Sequence, residues 1–258
     1  MVTEIKNFIK YKDFLAAVVK RDIKKKYYKS YLGVFWTVLR PLFMTLVISI
    51  VFSTLFKRAL PNYPLYYLTG NLLFHFNSDS TSVALNSIMK NSGIIRKIYI
   101  PKYMFVISDL TVSLINLLFS FIPMIGVVLF TGVKITWLWL FIPFVLILQF
   151  IFTLGLCLIL AAYGVFFRDL PHLYGILVMV WMYFTPLFYP ISIIPEKFLF
   201  IWELNPMVNY IGIFRDIVYY VTIPSMQNII VAFVYGVLTL TLGCVIFNES
   251  QEKFFLYL

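Results

Sequence analysis

Two titratable side chains lie in the middle of a long apolar stretch, in the segment GNLLFHFNSDSTSVALN. His75 and Asp79 are four residues apart, so on a helix they share one face and could pair. An ionisable residue in a membrane-embedded helix is a candidate for function, here the holding or relay of a proton. A relay would need further carboxylates at depth, and only Asp109 joins these two. Alternatively, this face meets other helices through hydrogen bonds. The neighbouring polar residues are Asn71, Asn77, Ser78 and Ser82.

Sequence patterns that bind nucleotides or catalyse reactions are absent. No glycine is followed by lysine, so the chain has no G-x-x-x-x-G-K-[ST] loop and no ATPase site of its own. The H-E-x-x-H and G-x-S-x-G patterns and a close acidic cluster are also missing. A membrane enzyme such as a lipid-linked sugar transferase would need paired acids or a metal cluster. We therefore expect no catalytic residue, metal or cofactor in this chain, and the energy for any work must come from elsewhere.

The composition indicates a polytopic membrane protein. Of the 258 residues, 62% are hydrophobic and 12% are charged, against about 45–50% and about 25% in soluble domains. Nucleic-acid binding, which the net charge of +10 could suggest, would need a soluble module. No such module exists outside the first 30 or so residues, so we expect no nucleic-acid partner.

Six stretches are long and apolar enough to cross a bilayer, which requires about 20 residues each. The segment between the fifth and sixth carries Glu203 and Asn205 beside Pro206, so a span there would be costly. We expect short re-entrant helices over about residues 191–225 instead. The six predicted spans cover residues 35–56, 64–89, 103–130, 137–167, 173–189 and 229–247.

The basic residues predict the topology and the role of the N-terminal segment. With six spans, sixteen of the 21 Lys and Arg residues fall on the side that holds both termini, which places that side in the cytoplasm. Residues 8–27 repeat apolar side chains every four positions, which is typical of an amphipathic helix at a membrane surface. Residues 1–33 would form this element and residues 34–258 the transmembrane domain. Binding of anionic lipid by a basic surface helix is the simpler interpretation of its Arg21, Lys24 and Lys25.

Four segments together resemble the ABC-2-type exporter permeases, in particular the polysaccharide-export branch that moves O-antigen, teichoic acid or capsule. They are RDIKKKYYKSYLGVFWTVLRPL, GIIRKIYIPKYM, FFRDLPHLYGILVMVWMYFTPLFYPIS and NPMVNYIGIFRDIVY, in the expected order and spacing. The resemblance implies that the first helix lies against a nucleotide-binding subunit through Arg21, Lys24 and Lys25. It also implies that residues 191–225 cap the channel as external re-entrant helices.

The resemblance further implies two contacts with the ATPase. The loop with Arg96, Lys97, Ile98, Tyr99 and Pro101 would be the coupling helix. A second contact would include Arg168 and Asp169. From composition alone, the first of these is an ordinary basic loop that only sets membrane orientation.

The function implied is that of the channel-forming subunit of an exporter of lipid-linked polysaccharide in the bacterial inner membrane. It would be a homodimer with two copies of a P-loop ATPase, which bind the ATP and magnesium, and it would contact membrane lipids. The alternatives are an ABC-2 exporter of drugs or other lipids, a glycolipid enzyme, or a non-catalytic scaffold. Aromatic rings stack on sugars but also form interfacial belts. The candidate rings along a glycan path are Trp36, Tyr63, Tyr66, Trp181 and Tyr183.

Overall fold

The described chain consists of helices joined by short turns, which confirms the all-helical fold class. The computed structural model describes residues 10–28, 33, 35–56 and 60–257, with side chains omitted at 53–56. The α-helices are α1 Lys12–Tyr27, α2 Phe35–Phe56, α3 Tyr63–Ala84, α4 Ser87–Lys90, α5 Ser92–Ile95, α6 Tyr103–Thr131, α7 Ile142–Phe166, α8 Leu170–Tyr183, α9 Leu199–Glu203, α10 Pro206–Arg215 and α11 Met226–Gln251. Single 3-10 or π turns lie at Trp137–Phe141, Ile191–Ile193, Glu196–Phe198, Asp216–Tyr220 and Lys253–Leu256.

Four helical segments in the described chain are long and apolar enough to cross a membrane, and they match the first, third, fourth and sixth predicted spans. They are Phe35–Phe52, Tyr103–Thr131, Trp137–Phe166 and Met226–Gln251. The helices at the other two predicted spans differ from these four. Helix α3 has 22 residues but is too polar for this class. Helix α8 has 14 residues and is about 21 Å long at 1.5 Å per residue, shorter than a hydrocarbon core of about 30 Å.

Two predicted boundaries differ from the structure for local reasons. The second span was expected to reach residue 89, but α3 ends at Ala84, and the separate turns α4 and α5 follow. Asparagines at 86 and 91 precede these turns, where their side chains favour caps over helix interiors. Helix α8 begins at Leu170, with a proline in its first turn. It ends at Tyr183 because Pro186 disfavours a helical conformation of the residue before it.

Helix α3 is the buried centre of the protein. Its apolar side chains Leu65, Leu68 and Leu73 are fully buried, and it packs against α2, α6, α7 and α10. Two of its polar groups bond to α7: the backbone carbonyl of Leu73 accepts from Gln149 at 2.7 Å, and the Asn77 side chain accepts from Thr153 at 3.1 Å. A helix that buries its polar atoms in this way does not need a lipid-compatible surface.

Helices α7 and α11 pack with their backbones in contact. A side chain at Gly155 would overlap the backbone of Thr239 and Leu240, and one at Gly243 would overlap the backbone of Gly155. Small residues permit this approach between helices in membranes, where van der Waals packing replaces the hydrophobic effect as the main attraction. The two helices therefore form one unit behind α3.

Helix α1 docks on the outer side of α6. Val18 and Val19 are buried, and the rings of Phe14 and Phe105 meet edge to face with centroids 5.5 Å apart. Tyr27 at the end of α1 donates to Asn116 of α6 at 2.7 Å. The predicted helix began at residue 8, and residues 8 and 9 lie outside the described residues.

The segment predicted to be re-entrant is broken where expected, at Asn205-Pro206. The Asn205 side chain accepts from the backbone N–H of Met207 at 3.0 Å and from the Trp181 indole at 2.8 Å. It also donates to the carbonyl of Phe184 and the hydroxyl of Thr185, each at 3.0 Å. This one side chain therefore caps α10 and joins it to the end of α8.

Candidate functional site

The loop after α5 projects the side chains of the first predicted ATPase contact away from the bundle. Tyr99 is 95% exposed and Ile98 is 55% exposed, and Arg96 and Lys97 beside them are exposed as well. Pro101 is half-buried where the chain enters α6. An exposed aromatic ring beside an arginine is typical of the residues that anchor protein interfaces.

The base of this loop is joined to α1 and α6 by a polar network. The Lys90 ammonium lies 3.3 Å from Asp22 of α1 and 3.3 Å from Asp109 of α6. Arg21 contacts Asp22 at 2.7 Å and donates to the Asn91 side chain at 3.1 Å. We call Arg21, Asp22, Lys90, Asn91 and Asp109 the Lys90 network. The network therefore joins the base of the loop to both α1 and α6.

Electrostatics in the Lys90 network favour the ionised form of Asp22. Burial would raise the pKa of this carboxyl group, but hydrogen bonds from Arg21 and Lys90 and their positive charges outweigh burial, so the pKa lies below its ordinary value. The other cations predicted on α1, Lys24 and Lys25, are exposed. The basic face of α1 is thus divided between a paired part at Arg21 and an exposed part beside it.

The second predicted contact lies between α7 and α8. Arg168 and Asp169 are both exposed. The backbone carbonyl of Asp169 accepts from the N–H groups of His172 and Leu173 at 3.1 and 3.3 Å, and its carboxylate lies at the N-terminus of α8, where negative charge is favourable. This pair belongs to the same end of the bundle as the first contact, because the backbone of Leu85, just before α4, packs against Gly164 near the end of α7.

The C-terminal residues also reach this end. Lys102, at the start of α6, donates to the backbone carbonyl of Gln251, and its ammonium lies over the rings of Phe254 and Phe255 at 5.3 and 4.4 Å from their centroids. Burial lowers the pKa of Lys102. The base of the loop therefore contacts both α1 and the turn that follows α11.

His75 and Asp79 do not form a pair in the described structure. Asp79 is exposed and His75 half-buried, and both line a cleft of about 620 Å³ between α1, α2, α3 and α6. Asn77 faces the other way and accepts from Thr153 of α7 at 3.1 Å, so this residue does join two helices. Asn71 accepts from Tyr67 of the same helix at 3.0 Å.

The five aromatic residues predicted along a glycan path are not brought together in one protomer. Tyr63 and Tyr66 are buried, with exposures of 1% and 2%, and their hydroxyls donate to the carbonyls of Phe188 and Tyr189 at 2.8 and 2.9 Å. Trp181 is half-buried and bonded to Asn205. Trp36 and Tyr183 are 51% and 60% exposed. Of the five, only Trp36 and Tyr183 are exposed enough to contact a molecule outside the protomer.

Two groups of residues with a clear structural role were missed by sequence reasoning. The pairing of Lys90 with two carboxylates had no signal, because no periodic spacing connects them. Arg215 is 4% exposed; it donates to the carbonyls of Pro186 at 2.7 Å and Tyr66 at 3.1 Å. Its guanidinium also lies 3.5 Å from the centre of the Tyr66 ring. An arginine in an aromatic-rich segment was the only signal available for this contact.

Comparison with known proteins identifies a family over most of the chain. The model of the family described as "ABC-2 type transporter" matches residues 14–219. An O-antigen export system permease protein RfbA of Klebsiella pneumoniae is 31% identical to this chain, and the alignment covers 94% of this chain and 93% of the relative. Its namesake in Myxococcus xanthus is 29% identical over 98% of both chains, and the polysialic acid transport protein KpsM of Escherichia coli is 21% identical over 92% and 93%. The chain is therefore a member of the ABC-2 type transporter family, a multi-pass membrane permease rather than an enzyme.

Proposed function

We propose that this permease forms the channel of an ATP-driven exporter of lipid-linked, O-antigen-like polysaccharide in the bacterial inner membrane. The observation that carries the proposal is the similarity over more than nine-tenths of the chain to permeases for two different glycans, O-antigen and polysialic acid. Permeases of this family work with an ABC ATPase partner. In our proposal this partner binds the ATP and magnesium.

The proposed topology has six spans and both termini in the cytoplasm. Its support is the distribution of basic residues, together with the structure at one end of the bundle. The start of α6, the end of α11 and the Lys90 side of α1 all meet the loop around residues 85–102. Helices α3 and α8 would complete the six, α3 inside the protein and α8 as a short, tilted or partly interfacial span. The proposed domains remain 1–33 for the interface element and 34–258 for the transmembrane domain.

The proposed assembly is a homodimer with two ATPase subunits. Large parts of α2 and α8 expose apolar side chains, among them Phe43, Ile50, Leu173 and Ile176, each more than half exposed. Surfaces of this kind contact either lipid or a second protein. Trp36 and Tyr183 lie on these same helices, so a glycan path that includes them would run between two protomers. The buried Tyr63 and Tyr66 would support the wall of that path rather than touch the glycan.

In the proposed mechanism, movement of the ATPase reaches the permease through the exposed loop. Arg96, Lys97 and Tyr99 would contact the ATPase directly, and Arg168 and Asp169 would form the second contact. The Lys90 network would pass the displacement to α1 and α6. The exposed residues Lys24 and Lys25 would lie against the ATPase or the lipid surface next to it.

Depletion of the permease in its native cell tests the function. We expect lipid-linked glycan to accumulate in the cytoplasm and surface glycan to disappear. Re-expression of the wild-type permease should restore export only together with an ATPase whose P-loop lysine is intact. Normal surface glycan in depleted cells, with a drug or another lipid retained instead, would contradict the polysaccharide assignment.

A further inference from the structure

The cleft that contains His75 and Asp79 also gathers cations that have no ion-pair partner in the described residues. Its volume is about 620 Å³, and its walls come from α1, α2, α3 and α6. Lys26 at the end of α1 and Arg40 in α2 line it. The salt bridges of the described chain use neither of these two residues, and the Lys26 ammonium is 5.8 Å from the centre of the Tyr27 ring.

The charges within the cleft do not balance. Asp22 and Asp109 also line it, but both are engaged by Lys90, which leaves Asp79 as the single acid facing Lys26 and Arg40. Burial lowers the pKa of Lys26; Asp79 counteracts this, and the positive charge of Arg40 adds to it. The Lys26 and Arg40 side chains are both exposed, so an anion from outside can reach them, and two neighbouring like charges favour an anion that joins them.

The cleft also has an apolar side that continues along α2. Trp36 and Met44 line it next to Arg40. Arg40, Met44, Val47 and Val51 follow one another at helical spacing, so they share a face of α2. On that face Met44, Val47 and Val51 are 44%, 52% and 53% exposed. The arrangement is a cationic pocket at one end of an apolar strip.

We propose that this cleft binds the phosphate headgroup of a membrane lipid, with Lys26 and Arg40 as its ligands and the hydrocarbon chain along the exposed face of α2. The guanidinium of Arg40 can donate two parallel hydrogen bonds to phosphate oxygens, and the ammonium of Lys26 adds a point charge. Asp79 reduces the net positive charge of the cleft and so weakens the binding. Weaker binding allows the lipid to exchange. The lipid is either a phospholipid of the bilayer or the phosphate-bearing carrier of the glycan; the second case rests on the proposed function.

Native mass spectrometry of the full-length permease, released from detergent, measures the binding directly. The probes are a long-chain polyprenyl phosphate with the corresponding polyprenol, phosphatidylglycerol with the corresponding diacylglycerol, and inorganic phosphate. We expect the phosphate-bearing lipids to bind and their phosphate-free counterparts to be lost. Since Lys26→Gln with Arg40→Gln removes both charged donors, this double variant should weaken binding by about tenfold or more.

Matched variants make the result specific. Lys12→Gln with Lys20→Gln removes the same charge from exposed positions of α1 that do not line the cleft, and should bind lipid as the wild type does. If the double cleft variant does not fold, Lys26→Gln alone and Arg40→Lys, which keeps the charge but loses the paired donors, are measured instead. Each should bind more weakly than the wild type.

The outcomes distinguish the two possible sources of the lipid, and they also show whether the cleft binds a lipid phosphate at all. Preference for polyprenyl phosphate identifies the glycan carrier, and equal or stronger binding of phosphatidylglycerol identifies a bilayer lipid. Equal binding of polyprenol and polyprenyl phosphate, unchanged binding by the cleft variants, or full competition by inorganic phosphate would each overturn the proposal. The measurement needs no transport, so its failure is distinct from a failure of polysaccharide export.

Discussion

The Lys90 ammonium holds two carboxylates that belong to different helices and lie 68 and 19 residues away in the chain. Asp109 is 3% exposed, and Lys90 is its ion-pair partner among the described residues. The sequence identifies each residue as charged and close to an end of an apolar helix. The pairing is not predictable from it, because it depends on how α1 docks on α6.

Replacement of Lys90 by methionine should destabilise the protein. Two carboxylates would lose their shared counterion, one of them buried, at a cost of about 1–3 kcal/mol; the 39% exposure of the Lys90 side chain keeps the cost at the lower end. Thermal unfolding in detergent measures it. Lys90→Arg should restore most of the loss, and Lys97→Met, at an exposed position, should have almost no effect. Equal unfolding temperatures for Lys90→Met and Lys97→Met would contradict the prediction.

Asp22 should make the stability of the protein depend on pH at the acid end. Its pKa in the folded protein is lowered, so the folded state gains stability above the ordinary aspartate pKa of about 3.9. That gain is lost as the pH falls through the lowered value. Asp22→Asn should therefore be less stable than the wild type at neutral pH and equally stable at the acid limit. Unfolding curves of both proteins over this range test it; a constant difference at all pH values would rule out the charge of Asp22 as its cause.

At the scale of elements, the sequence predicts where helices occur, but it predicts only some of their ends correctly. The first span is found at its observed bounds, since the stretch from Phe35 to Phe56 is apolar apart from Arg40 and scattered hydroxyl residues. The end of α3 was missed because Leu85, Ile88 and Met89 continue the apolar pattern past it, whereas the structure forms two separate short helical turns there. The coupling loop was found as a segment, but its exposed Tyr99 and its attachment through Lys90 required the tertiary structure.

Simultaneous replacement of Arg96 and Tyr99 by alanine should uncouple the permease from its ATPase. The loop projects both side chains from the bundle, so the variant should fold and insert, while the loss of two interface anchors should cost about 2 kcal/mol or more of binding. Co-purification of the ATPase and the rate of glycan export are the measurements. Arg96→Lys with Tyr99→Leu keeps charge and bulk; wild-type values for this variant in both measurements would reduce the loop to a signal for membrane orientation.

For the whole molecule, the topology depends on how many times the chain crosses the membrane. Four helices in the described chain are apolar enough to cross a membrane by themselves, and the proposed count of six adds α3 and α8. Helix α3 is left out of the four because it is too polar, and α8 is left out because it is short. The six apolar stretches of the sequence include both segments, so the count of six stays a prediction.

Cysteine labelling with a membrane-impermeant reagent tests the six-span topology. Cys244 is exposed and Cys157 buried, so Cys244→Ser provides the background. In intact cells, Lys134→Cys and Glu196→Cys should react, whereas Lys97→Cys and Glu252→Cys should react only after the membrane is opened; all four positions are exposed. Labelling at 252 in intact cells would exclude an even number of spans.

The contacts of Arg215 have a consequence for biogenesis. The carbonyls that receive its guanidinium belong to residues 66 and 186, which leave the ribosome before it, one of them 149 residues earlier. The segment that carries Arg215 is thus synthesised after both acceptors and finds them only where α3 and the end of α8 are already neighbours. A buried arginine without those acceptors is strongly unfavourable in a membrane. We therefore expect the segment that carries Arg215 to take up its folded position only after α3 and the end of α8 have come together.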